Sequence, residues 1–495
     1  MAHLLGIDSG TTGVTALLVD EEGAVAGRGY REFPQSFPRP GWVEHDPDDW
    51  WGAMTDACGA AFREAGIEAS GLAAIGITNQ RETTLLWDRE TLAPIHPAIV
   101  WQDRRTARLC DRLREEGWEE RVRDRTGLVI DPYFSATKLS WLLENVDGAR
   151  EAAAGGRLAF GTVDSYLLAR LTGGSVHAID LTNASRTMVF DIRKLDWDAE
   201  LLDRLGIPGE VLPQAHPSSG RFAMTDPGAF FGARVPISGV AGDQQAALFG
   251  QACFGPGATK NTYGTGSFVL MNTGTDAPAS YHGLITTIAY GDDRTVEYAL
   301  EGSIFVTGAA VQWLRDGLGL IASSSDVGPL AESVADTGDV YFVPALVGLG
   351  APHWDPYARG AIVGITRGTT GAHIARAAVE AMAYQTRDVV EAMRADSGLD
   401  VTELKADGGA SAMDLLMQLQ ADLLGVPVRR PRVVETTALG AAYLAGLAEG
   451  VWASRDEVAE QWLLDREFAP QEGDVERRYA RWKEAVARAR GWAEA

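Results

Sequence analysis

Gly239-Val240-Ala241-Gly242-Asp243-Gln244-Gln245-Ala246-Ala247-Leu248-Phe249-Gly250, followed ten residues later by Asn261-Thr262-Tyr263-Gly264-Thr265-Gly266-Ser267-Phe268, holds two pieces of chemistry near mid-chain. Val235 to Val240 is a short apolar run that predicts a buried strand. Asp243 follows it, just ahead of a small-residue helix expected over residues 244–251. A carboxylate at that junction faces an opening. Gly264 and Gly266 flank Thr265 so that backbone N–H groups and a hydroxyl can approach a phosphate closely. Taken alone, Asp243 reads more simply as the N-cap of the helix it precedes. The rest of the chain reverses that preference.

At 495 residues, with 46% hydrophobic and 23% charged residues, the chain has the composition of a soluble globular protein of two to four domains. Its formal charge of -24 argues against long-range attraction to nucleic acid or an anionic membrane. A phosphate must therefore be held by local N–H groups, hydroxyls and metal, a restriction that Mg-ATP satisfies. Cys58, Cys110 and Cys253 are too far apart for a metal spacing or an obvious disulfide framework. No uncharged apolar span is long enough for a bilayer, and Asp8 interrupts the first apolar run where a signal sequence would lie. A cytoplasmic location is expected, with no nucleic acid and no membrane insertion.

His3 to Asp8 reads as a strand, Ser9 to Gly13 as a turn and Val14 to Asp20 as a second strand. This strand-turn-strand differs from a P-loop, which ends in Gly-Lys-Ser/Thr and opens a helix. Asp8 at a strand end can hold the water shell of Mg2+, while Thr11, Thr12 and Gly13 offer hydroxyls and N–H groups to phosphate oxygens. A hairpin turn rich in small polar residues fits the same letters. Arg81 and Glu82 are adjacent, so in a continuing strand they point to opposite faces, and both reach one ligand only at a bend. The apolar runs 72–78 and 85–87 supply two strands with Asn79 to Glu82 as the turn between them. A guanidinium that donates and a carboxylate that accepts can orient the hydroxyls of a small polyol; a solvated charged turn is the plainer alternative. Trp101, after a strand-like segment 95–100, and Tyr133, after Asp131-Pro132, fit either core packing or a ligand wall.

These motifs come in the order Asp8-Ser9-Gly10-Thr11-Thr12-Gly13, Gly242-Asp243-Gln244-Gln245 and Asp407-Gly408-Gly409-Ala410, which resembles that of sugar kinases with an actin-like ATPase core. Thr78-Asn79-Gln80-Arg81-Glu82-Thr83-Thr84, Val100-Trp101-Gln102-Asp103-Arg104-Arg105-Thr106, Asp131-Pro132-Tyr133-Phe134-Ser135-Ala136-Thr137-Lys138 and Thr182-Asn183-Ala184-Ser185-Arg186-Thr187-Met188 narrow the resemblance to the FGGY family of carbohydrate kinases, in the branch that phosphorylates glycerol. It runs from about residue 3 to about residue 450.

The resemblance implies an α/β chain of two actin-like (ribonuclease H-like) domains with the active site in the cleft between them. Residues 1–250 would carry the polyol site and first phosphate loop, and residues 251–495 the nucleotide site, with a helical tail from about 456. It further implies ATP-dependent phosphorylation of glycerol to sn-glycerol 3-phosphate with release of ADP; another small polyol or ketose is the alternative acceptor. Asp243 is then the catalytic base. Arg81, Glu82, Tyr133 and Asp243 would hydrogen-bond glycerol, Trp101 and Phe268 would line its carbon face, and Gln244 would sit beside it. Thr11, Thr12, Gly13, Thr265, Gly308, Gln312, Gly409 and Met413 would face ATP, and Asp8 would hold Mg2+ through water. A homo-oligomer, dimer or tetramer, is also expected.

The chain departs from the family pattern at Thr15, where an arginine usually reaches the phosphates, and at Met413, where an asparagine usually meets the adenine. Asp226 to Gly232, with Ala229 at its centre, lacks both the Gly-Lys-Gly-Gly-Thr-Arg run of sugar-bisphosphate-inhibited relatives and the phosphorylatable histidine of another branch. Neither control is expected. Lys138 reads as packing or surface pairing, the segment around Arg186 receives no direct chemistry, and Tyr479, Trp482 and Val486 mark one stripe of a surface helix in the tail. The second half suggests the plan of the first, without a sequence repeat clear enough to establish duplication.

Overall fold

The computed structural model describes residues 2–493. Strands rich in Leu, Ile and Val near the start of the chain are buried on both faces, as the inner strands of a parallel sheet must be. Across that six-stranded sheet the order is Ser219–Met224, Pro236–Gly242, Leu72–Asn79, His3–Ser9, Gly13–Asp20 and Val25–Glu32. Pro236–Gly242, Leu72–Asn79 and His3–Ser9 run parallel, and the flanking strands are antiparallel.

A seven-stranded sheet forms after residue 250, in the order Ile285–Gly291, Val296–Ile304, Ser267–Gly274, Thr259–Tyr263, Leu404–Asp407, Val428–Pro431 and Leu464–Phe468. Without its first strand it repeats the pairings of the other sheet: antiparallel, antiparallel, parallel, parallel, antiparallel. One plan is thus used twice. Sheet topology is set by the order of apolar runs and turns rather than by residue identity, so the duplication leaves no repeat in the sequence.

The tail differs from the surface helix expected of it. Leu464–Phe468 is the edge strand of the second sheet, with Arg429–Glu467 and Arg430–Asp465 paired across it at 2.8 Å each and Phe468 buried. A charged edge of this kind discourages pairing with another chain. Helix Val475–Ala489 then buries Tyr479, Trp482 and Val486, and Trp482 stacks on Tyr384 with ring centroids 5.3 Å apart. Tyr479 Oη and Trp482 Nε1 both donate to Asp388, at 2.6 and 2.7 Å, so the stripe is anchored in the core. Residues 494 and 495 of the expected tail lie outside the described residues.

Two helices bring the sheets together. Asp243–Gly250 follows the strand Pro236–Gly242, and Thr436–Ala448 follows the equivalent strand of the other sheet, Val428–Pro431. They pack on each other at the centre of the molecule, and Thr436–Ala448 also lies across the first sheet. Contact is possible because the facing residues are small. A Cβ on Gly440 would stand 1.9 Å from Ala246 O, so only glycine admits that crossing. Helix Thr436–Ala448 is apolar all round because it is buried all round. Among the described residues no helix is long and apolar enough to cross a membrane.

Smaller differences follow from local chemistry. The strand expected over 95–100 is only Ala98–Ile99, since Pro94 and Pro97 cannot donate to a ladder. The helix expected near Ser411 starts at Asp414, after a 3-10 turn at Gly409–Ala412 that leaves Gly408 at a φ of 81°.

Candidate active site

The carboxyl ends of three adjacent parallel strands point into one cleft, the place where open α/β sheets bind ligands. Asp8 and Ser9 close the first, Asn79 closes the second just before Gln80-Arg81-Glu82, and Gly242 closes the third just before Asp243. The facing sheet contributes the Gly264–Gly266 and Gly408–Gly409 turns from the ends of its own two parallel strands, Thr259–Tyr263 and Leu404–Asp407.

Asp243 is the first residue of its helix, and Gly242 occupies the N-cap without a side-chain bond. Asp243 Oδ1 instead accepts from its neighbour Gln244 N at 2.7 Å and is ion-paired with Arg81 Nε at 3.0 Å. The side chain keeps 27% exposure, against 2% for Arg81 and 1% for Glu82, so it is the acid open to the cleft. Burial raises its carboxyl above the ordinary aspartate value; the charges of Arg81 and Lys260 pull it back down.

The bend at Arg81-Glu82 is a tight turn in which Thr83 N donates to Arg81 O at 2.7 Å and Glu82 stands at a φ of 60°. A glutamate in left-handed backbone is strained, and the strain brings two consecutive side chains to one side. Around Arg81 the other candidates form a connected set. Tyr133 Oη lies 3.4 Å from Arg81 Nη2, the Tyr133 and Trp101 rings meet edge to face at 5.6 Å, and the Phe268 ring centre is 5.7 Å from the guanidinium carbon. Gln244 Oε1 accepts from Lys260 Nζ at 2.5 Å. Trp101 Nε1 donates to Thr11 Oγ1 at 3.0 Å, a direct bond between the expected acceptor wall and the first phosphate turn.

Asp8 Oδ1 is buried with no hydrogen-bond partner. Burial, and then the charge of Asp243, raise its carboxyl to about 8. A buried carboxyl oxygen without a hydrogen-bond partner, near enough to a second acid to feel its charge, is a donor that a hard divalent ion suits. Among the described residues no cluster of three His, Cys, Asp or Glu could hold a metal ion.

Where the nucleotide is expected, Thr307, Gly308 and Ala309 donate backbone N–H groups to the Gly264 and Thr265 carbonyls at 2.9 to 3.0 Å, which ties the glycine turn to the start of helix Gly308–Asp316. Thr12, Thr265, Gln312 and Gly409 are exposed, while Thr11 and Met413 are half-buried and Gly13 is buried. The Met413 side chain reaches within 3.5 Å of where a Cβ on Gly328 would be, so an apolar surface stands where the family's asparagine is expected.

The FGGY family of carbohydrate kinases, N-terminal domain, matches residues 3–250, and the C-terminal domain of the same family matches residues 259–449. The chain belongs to the FGGY family of carbohydrate kinases. This FGGY kinase is 58% identical over 494 residues to glycerol kinase 2 of Thermotoga maritima, and 57% identical over 492 residues to the glycerol kinase of Xanthomonas axonopodis pv. citri, with 99% of each chain covered in both cases. Its fold matches the crystal structure of Plasmodium falciparum glycerol kinase with ADP at a TM-score of 0.91 and 35% identity, covering 99% of this chain and 98% of that one. A xylulose kinase from Rhodospirillum rubrum matches at 0.85 and 25% identity, covering 98% of each chain.

Within this FGGY kinase three charged residues stand in the site without having been singled out from sequence. Lys260 is fully buried, bonded to Gln244 and to Thr262 Oγ1 (2.8 Å), and burial lowers its amine to about 8. Glu301 and Arg186 are buried beside Arg81 and Glu82. Lys260 and Glu301 each sit within a strand, where a charge among apolar and small residues is the signal to be read, and Arg186 sits in the turn between Leu181–Ala184 and Phe190–Asp191. Lys138, expected to pack or pair at the surface, is fully buried and donates to the carbonyls of Pro132, Tyr133 and Phe134 at 2.9, 2.6 and 2.7 Å. It holds the turn that carries Tyr133.

Proposed function

We propose that this FGGY kinase transfers the γ-phosphoryl group of ATP to a terminal hydroxyl of glycerol, giving sn-glycerol 3-phosphate and ADP. The observation that carries the reading is the convergence of Arg81, Glu82, Tyr133, Trp101 and Phe268 on Asp243, the one acid of that set open to the cleft. Relatives that share 58% of their residues over nearly the whole chain bear the name glycerol kinase, which supports the same acceptor here.

Asp243 accepts the proton of the attacking hydroxyl while the new O–P bond forms and the bond to the ADP leaving group breaks. Burial raises its carboxyl toward the range a general base uses, and Arg81 and Lys260 favour the ionised form against that burial. Arg81 donates to one hydroxyl, Glu82 accepts from another, and the Trp101 and Phe268 rings cover the carbon face. Thr11, Thr12 and Gly13 from one half and Thr265 from the other offer N–H groups and hydroxyls to the phosphates. Gly308, Gln312, Gly409 and Met413 take the rest of the nucleotide. Asp8 would hold Mg2+ through its water shell, and that ion, when bound, neutralises charge on the phosphate oxygens. With Thr15 supplying no cation and Met413 no amide, nucleotide binding relies more on backbone donors and apolar contact.

The two halves, divided near residue 250, act as domains that close on the substrates and exclude water, whose attack would waste ATP. We place the reaction in the cytoplasm, where the three buried, unpaired cysteines stay reduced, and expect a homo-oligomer. ADP release measured with and without glycerol tests the proposal: release that depends on glycerol supports it, and glycerol-independent hydrolysis rejects it. A panel including xylulose and other ketoses decides the acceptor, because a higher kcat/KM for a ketose would replace glycerol by that sugar.

A further inference from the structure

Arg186 and Glu301 lie beside the acceptor pocket and have no part in the reaction described above. We propose that they are positioning residues for the polyol site, which lock the side chains of Arg81 and Glu82 and thereby set the requirement for an acceptor with all its hydroxyls. This inference rests on the reading of glycerol as acceptor.

The argument begins with the donors of Arg81. A guanidinium has five N–H groups in a rigid fork. Nε is on Asp243, Nη1 reaches Glu301 Oε2 at 2.5 Å and Gln245 Oε1 at 3.2 Å, and Nη2 reaches Glu301 Oε1 at 3.0 Å. Of the four Nη N–H groups only one remains, on Nη2, and it points toward Tyr133 Oη across a long 3.4 Å. Glu301 thus grips both Nη ends of the fork and leaves a single Nη donor for a ligand. Arg186 bridges the two acids: Nε donates to Glu82 Oε1 at 2.6 Å and Nη2 to Glu301 Oε1 at 3.0 Å. No donor among the described residues bonds Glu82 Oε2, so that oxygen is the acceptor left over.

The result is a buried ladder, Glu82–Arg186–Glu301–Arg81, in which all four side chains are at most 2% exposed. Fork-to-carboxylate pairs fix orientation as well as charge. Burial alone would neutralise Glu301, but Arg186 and Arg81 overcome it and hold the carboxyl down to about 2; at Glu82 burial wins over the same two guanidiniums and raises the carboxyl above its ordinary value. Glu301 belongs to strand Val296–Ile304 of the second sheet, whereas Arg81, Glu82 and Arg186 come from the first half of the chain. The acceptor site is therefore incomplete until both halves are together.

The test measures kcat and KM for glycerol, ATP and 1,3-propanediol, which lacks the middle hydroxyl, in the full-length wild type, Glu301→Gln, Glu301→Asp and Arg186→Lys, with thermal unfolding of each. Glu301→Gln and Arg186→Lys are expected to raise the glycerol KM about 10- to 100-fold, leave the ATP KM within about twofold, and lower the preference for glycerol over 1,3-propanediol about tenfold or more. Glu301→Asp, which keeps the charge, should recover part of that preference. If Glu301→Gln does not fold, Arg186→Lys carries the same expectation, since it keeps the charge and loses the fork. Unchanged glycerol KM and unchanged preference in a folded variant overturn the positioning role, as does an equal fall in every parameter that tracks lost stability. A wild type that turns over no glycerol would instead overturn the acceptor reading.

Discussion

As the proposed base, Asp243 would ionise in a place that disfavours its charge. Replacing it by asparagine keeps the shape and the Arg81 contact on one atom but removes the proton acceptor. Turnover is expected to fall by roughly 10² to 10⁴ with glycerol binding largely retained, measured by steady-state kinetics beside glycerol titration. Near-wild-type turnover would take Asp243 out of the role. The direction of its pKa adds a second prediction. Burial lifts the carboxyl above 3.8, and only the ionised form accepts a proton. Activity is therefore lost as pH falls through a value above the ordinary aspartate range, and the residual activity of Asp243→Asn lacks that acid limb. Sequence made Arg81, Glu82, Tyr133 and Asp243 legible because each stands in a motif at a turn. Glu301 and Lys260 stand in no motif, and Arg186 stands in one that gave no role, since a single charge tells nothing of which other charge faces it until the chain is folded.

At the scale of elements, Lys138 and Gly440 show how packing supports the chemistry. Lys138 satisfies three carbonyls in the turn that presents Tyr133. Lys138→Met leaves them buried without donors, a loss on the order of 3 kcal/mol or more. Chemical denaturation should show that loss together with a raised glycerol KM; a raised KM at full stability would argue against a purely architectural lysine. Gly440→Ala drives a methyl into Ala246 O, and neither crossing helix can yield without disturbing a sheet. A cost of about 1 to 3 kcal/mol is expected, read as a lower midpoint in the same measurement. The Ala- and Gly-rich composition of 435–446 already implied close approach to another backbone. It did not say which helix would be met.

Across the whole molecule, two copies of one sheet plan face each other, and the crossing helices Asp243–Gly250 and Thr436–Ala448 form the contact between them. If closure of the halves completes the site, glycerol with a non-hydrolysable ATP analogue should lower the radius of gyration measured by small-angle X-ray scattering. Either ligand alone should do less. No compaction under saturating ligands would count against closure.

By itself the sequence determined the family, the α/β class and which residues would stand at the strand ends and turns of the cleft, because short-range chemistry is written in adjacent residues: a carboxylate after a strand, glycines at a turn, a donor next to an acceptor at a bend. Tertiary structure alone decided that the sheets repeat one topology, that the charged tail closes the second sheet with a strand, and that Glu301 reaches across from that sheet to hold Arg81. Those are matters of pairing between distant segments, and the free energy of such a pair depends on burial and on a partner's direction, neither of which a linear order of residues contains.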